Sequence, residues 1–134
     1  MECIKILAMN NVDLLKESRN RLLSLHKTLV DFERTRYEAF NGKVNSGQFL
    51  NVLLEDESLS WLRRFSTFIV DVDEMFALDD GYSDEMVESH LAKLRKLVTF
   101  TDEDQDFNSK YQYALQNDPD AAGKHAELKT ILAS

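Results

Sequence analysis

The stretch Ser58–Leu78, SLSWLRRFSTFIVDVDEMFAL, constrains the fold more than any other part of this chain. Leu62, Phe65, Ile69, Val72 and Phe76 recur at the spacing of one helix face, and Trp61, Phe68 and Met75 widen that face on one side. Each large aromatic removes roughly 150–250 Å² from water when buried, so such a helix needs a substantial partner surface. The spacing therefore predicts the central helix of a helical domain, with Ser58 as its N-cap. Only four glycines and one proline punctuate the 134 residues, which favours long helices over a turn-rich β fold.

The remaining helices follow from periodicity and caps. Asn11–Phe40 carries Leu15, Leu22, Leu25, Leu29 and Phe32 at heptad spacing, and Tyr37 and Phe40 continue the stripe after a small drift. Asn10 or Asn11 can cap it, and Asn41-Gly42 stops it. Thirty helical residues span about 45 Å, more than a compact domain of this size needs. One end must project, or another chain must cover it. Ser46 is placed as the cap of a brief helix to Glu55 that buries Phe49, Leu50, Leu53 and Leu54. Ser83 caps a further helix, with Asp84 and Glu85 early, Arg95 and Lys96 late, and a stripe of Val87, Leu91, Leu94 and Val98. Two shorter helices follow, one from Thr101 with Phe107, Tyr111, Ala114 and Leu115 inward, one opened by Asp118-Pro119 and running to Leu132. The expected fold is an all-α, up-and-down helical bundle of about four core helices, the first one long, with one or two shorter C-terminal helices. It occupies residues 1–134 as one domain. Residues 1–10 are expected as a loose N-terminal arm, and residues 101–134 as weaker helices loosely packed on the bundle.

Charge narrows the function classes. The net charge is −8, and residues 47–82 carry two basic against eight acidic side chains. The only basic-rich run, Arg19, Arg21, Lys27, Arg34 and Arg36, is interleaved with Glu17, Asp31, Glu33 and Glu38. That mixture makes a solvated helix face rather than the basic stripe that phosphate backbones require, so no nucleic-acid partner is expected. No apolar run approaches the ~20 residues of a membrane span. MECIKILAMNN lacks the features of a signal peptide, and a single cysteine, Cys3, forms no internal disulfide, so a cytoplasmic location is expected.

Motifs for chemistry are few. The Glu-x-x-His of a di-metal bundle fails at all three histidines, because Leu23, Val87 and Ala122 precede His26, His90 and His125 by three. Asp102, Asp104 and Asp106 imitate a calcium loop, but Phe107 and Tyr113 replace its glycine and glutamate. No phosphate loop or nucleophile elbow occurs. Two weak constellations remain. His26 and Glu33 share a flank of the first helix and Asp73 borders the central stripe, so the three could form a metal or acid–base cluster. Trp61, Arg63 and Arg64 could form an interaction surface, Trp and Arg being enriched in binding hot spots.

Residues 25–44 and 48–74 carry a further pattern: Leu25-His26-Lys27, Glu33-Arg34 with Tyr37-Glu38, Gly42, Trp61-Leu62-Arg63, then Asp73-Glu74. In this it resembles a family of small bacterial helical proteins with no assigned activity. Arg64 stands where that pattern has proline. The resemblance implies a helical bundle and no reaction. The expectation is a non-enzymatic domain working through protein–protein contacts, self-associating as a homo-oligomer with a dimer favoured, and needing no cofactor. The alternatives are a small-ligand sensor with a pocket between the long and central helices, and a metal-dependent enzyme using His26, Glu33 and Asp73.

Overall fold

A computed structural model describes residues 9–133, so Cys3 and the first eight residues of the expected N-terminal arm lie outside the described residues. The fold is an all-α bundle, with no strand among the described residues. Its elements are α1 (Asn11–Asn41), α2 (Ser46–Glu55), a 3-10 turn (Glu57–Leu62), α3 (Arg63–Phe76), α4 (Asp84–Val98), α5 (Gln105–Asn117) and α6 (Pro119–Leu132).

α1 is the spine. The Asn10 side chain caps it by accepting the Asp13 N–H, and Leu14, Leu15, Ser18, Leu22, Leu25, Thr28, Leu29 and Glu33 form its buried stripe. Against that stripe pack α3, α4 and α6. Burial stops at Glu33. Tyr37 is only half-buried and Phe40 is 88% exposed, so the expected continuation of the stripe to Phe40 is corrected: the last two turns reach past the bundle. The apolar period continues there, but α2 brings one buried side chain, Phe49, against Tyr37 and leaves Phe40 open.

The Ser58–Leu78 segment is not one α-helix capped by Ser58. Asp56 is the cap, accepting both the N–H and the hydroxyl of Ser58, and a 3-10 turn winds to Leu62 before the α-helix starts at Arg63. The tighter winding buries Leu59, Trp61 and Leu62 from six residues. Beyond it Phe65, Phe68, Ile69, Val72 and Met75 are buried as their spacing predicts.

The two C-terminal helices also require correction. They are core rather than loose additions: Phe107, Tyr111, Ala114, Ala121 and Leu128 are fully buried, and α6 packs on α1, α4 and α5. Asp104, not Thr101, caps α5 by accepting the Phe107 N–H. Phe65, Trp61, Phe107 and Tyr111 form one aromatic nucleus, with ring centroids 5.1 Å apart for Phe65–Tyr111 and 5.4 Å for Phe65–Phe107. Phe100 joins from the α4–α5 loop at φ +58°, a conformation that opposes a bulky side chain. Its ring stacks on His125 and meets Tyr111 edge-on, contacts that hold the strained backbone in place.

Candidate functional site

The projecting end of α1 is joined to α2 by a turn that is fixed by polar contacts. Gly42 (φ +81°) ends α1, donating its N–H to the Glu38 carbonyl. The Glu38 carboxylate accepts the Val44 N–H at 3.0 Å, and the Arg34 guanidinium donates to the Val44 carbonyl. Asn45 then caps α2 rather than Ser46: it accepts the Gln48 N–H at 2.8 Å while the Gln48 side chain accepts the Asn45 N–H at 2.9 Å. At the other end Arg63 donates to the carbonyls of Leu53 (3.3 Å) and Leu54 (2.7 Å), filling acceptors that a helix end leaves open.

So anchored, α2 stays largely uncovered. It buries one side chain, Phe49, against Tyr37 and below the Arg34 guanidinium. The expectation that Leu50, Leu53 and Leu54 are buried with it is corrected: Leu53 is half-buried, Leu50 is 55% exposed and Leu54 is 61% exposed. Polar clamps thus hold an apolar helix at both ends while its outer face stays open. A pre-shaped surface of this kind loses little conformational freedom when a partner covers it.

A groove of about 270 Å³ runs beside this end, walled by Glu33, Arg36, Tyr37, Phe40, Lys110 and Tyr113 among others. Glu33, 6% exposed, is neutralised by Arg36 at 2.8 Å, whose guanidinium lies over the Tyr113 ring at 4.9 Å. Lys110 donates to the Ser58 carbonyl at 3.2 Å.

His26, Glu33 and Asp73 are not brought together. Asp73 is exposed and takes a two-pronged guanidinium contact from Arg19, at 2.8 and 3.0 Å. Glu33 lies fourteen residues beyond Arg19 on α1, about 21 Å along the axis. His26 sits between those levels, its ring tilted on Phe65 at 6.3 Å. Among the described residues no group of three or more His, Cys, Asp or Glu converges as a metal site.

Trp61, Arg63 and Arg64 line one wall of a second groove, about 320 Å³, to which the tryptophan presents little surface. Trp61 is 3% exposed, its ring held in the aromatic nucleus. Arg64 pairs with Asp102 at 3.1 Å and Asp104 at 3.4 Å. Arg63 reaches α2 through its bonds to the Leu53 and Leu54 carbonyls. The longest run without a charged residue, 44–54, was the sequence signal for the exposed face, since a surface helix normally carries charge.

Two histidines make stability pH-dependent. Burial holds the pKa of His26 below 6.5, and burial together with nearby Lys129 does the same for His125. The Tyr111 hydroxyl, which burial keeps protonated, is hydrogen-bonded to His125 Nδ1 at 2.6 Å. Below pH 6.5 the unfolded chain therefore binds protons that the folded chain refuses. Stability should fall as pH drops through that window and level off beneath the folded values. Asp56 and Asp73 have lowered pKa values, through hydrogen bonds from Ser58 and Arg19. Their contribution is complete above the ordinary carboxylate range and is lost only in stronger acid. Urea midpoints at about pH 7.5 and about pH 5.5 check this: the acid value should be lower, and equal values would contradict the neutral-histidine assignment.

No family model, curated protein or solved structure matches the chain.

Proposed function

We propose that this is a non-enzymatic helical domain that acts through protein–protein contacts and associates with a second copy of itself through α2. The observation that carries the reading is the exposure of Leu50 and Leu54 on a helix whose backbone is pinned at both ends. Burying such a side chain is worth about 1.5–3 kcal/mol, a driving force left unused in the single chain. Charge favours a second copy as the occupant. At a net charge of −8, two copies repel over most of their surfaces. In a contact of one patch with itself every charge appears twice, so the patch must carry little charge. Residues 44–54 carry none. The single thiol of Cys3 suits a reducing compartment, and we place the association in the cytoplasm; cell fractionation that finds the protein outside it would count against that placement.

Size-exclusion chromatography with light scattering tests the association. The wild type should run as a dimer at high micromolar concentration, and Leu54→Glu as a monomer with unchanged helical circular dichroism. A wild type that is monomeric there, or a Leu54→Glu variant that still dimerises, would contradict the reading.

A further inference from the structure

We infer that the two copies meet about a two-fold axis perpendicular to α2, so that α2 of one copy runs antiparallel to α2 of the other. The inference rests on the self-association proposed above and adds its geometry.

The first argument is the outer face of the helix. Gly47, Leu50, Asn51 and Leu54 recur at i, i+3, i+4 and i+7, the spacing of a helix–helix seam, and all four are exposed. The fold itself does not require glycine at 47. Its φ is ordinary, and a Cβ added there would meet only Asn45 Oδ1, at 3.5 Å. It lies in the first turn of α2, directly after the Asn45 cap and Ser46. In an antiparallel pair centred between residues 50 and 51, Gly47 of one copy lies opposite Leu54 of the other. The missing side chain then becomes the hole that receives the leucine, twice by symmetry.

The second argument is charge, and it selects the orientation. Lys43 stands before the N-terminal end of α2, and Glu55 and Glu57 stand at and beyond its C-terminal end. All three are exposed, and none makes an ion pair within the chain among the described residues. The helix is about 15 Å long, so the two ends are electrostatically separate places. Antiparallel packing sets Lys43 of each copy against Glu57 of the other and opposes the helix dipoles favourably. Parallel packing sets lysine on lysine and the acids on one another. A head-to-tail contact would seat the leucine face on a different patch of the next copy, closing only as a ring and otherwise continuing into a chain of copies.

Two measurements test the geometry. In sedimentation equilibrium, Lys43→Glu should weaken the dimer about tenfold, because two symmetry-related pairs become repulsions. Adding Glu57→Lys to it should restore the wild-type affinity. In a Cys3→Ser background, a mixture of Gly47→Cys and Leu54→Cys proteins should form the mixed disulfide-linked dimer under mild oxidation, while neither variant alone links efficiently. Circular dichroism confirms that each variant is folded. A wild type with no dimer overturns the self-association and this geometry together. A wild-type dimer in which Lys43→Glu tightens binding, or in which Gly47→Cys links only to itself, overturns the antiparallel arrangement alone.

Discussion

Phe65→Ala should lose about 3–5 kcal/mol of unfolding free energy, a large share of the roughly 5–15 kcal/mol typical of a single domain. Phe65 is fully buried, and its ring meets those of Trp61, Phe107, Tyr111 and His26 at 6.1, 5.4, 5.1 and 6.3 Å. It therefore joins α3 to α1, to the 3-10 turn and to α5 at one point. The rings around it belong to different elements and cannot all close on the space it leaves, so most of the cavity penalty should persist. Urea unfolding measures the loss as a lower midpoint at an unchanged slope. Phe40→Ala is the control: its side chain is 88% exposed, and its removal should change stability by less than about 0.5 kcal/mol. Similar losses from the two variants would contradict the division of α1 into a packed and a projecting part.

Leu128→Ala should cost about 2–5 kcal/mol, as a fully buried leucine in a well-packed core does. The prediction separates a C-terminal helix that belongs to the core from one resting on its surface. α6 is tied to three neighbours: Lys124 donates to the Thr28 hydroxyl at 2.7 Å, Arg95 to the Leu132 carbonyl at 2.9 Å, and His125 Nδ1 shares a hydrogen bond with the Tyr111 hydroxyl at 2.6 Å. Leu128 lies one turn beyond His125 and is itself fully buried. Unfolding followed by near-ultraviolet circular dichroism, which reads the aromatic nucleus, should shift together with the helical signal. A loss below about 0.5 kcal/mol would show that α6 contributes little to the fold.

Much of the fold was legible in the chain because helix period and capping chemistry are local. Leu62, Phe65, Ile69 and Val72 lie on the buried face that their spacing predicts, and Ser83 and Asp118 cap the helices they were expected to cap. Periodicity, however, marks which face of a helix is apolar and is silent on what lies opposite it. For that reason Phe40, Leu50 and Leu54 read as core and are surface. The excess length of the first helix was the usable warning. α6 read as weak because it has few large side chains, yet its small Ala121 is fully buried at a helix contact, and small residues allow close packing. The Tyr111–His125 hydrogen bond joins residues fourteen apart on different helices, and no local pattern announces it. The same holds for the bonds from Arg63 to the Leu53 and Leu54 carbonyls that end α2.

Amide hydrogen exchange of the wild-type protein at low and high concentration tests the proposed role of α2 most directly. Protection of the α2 amides should rise with concentration, with the changes concentrated on residues 46–55 and the flanking turn, while α3 and α6 exchange at the same rate throughout. Exchange of α2 that is fast and independent of concentration would contradict the claim that this helix is the face the protein uses.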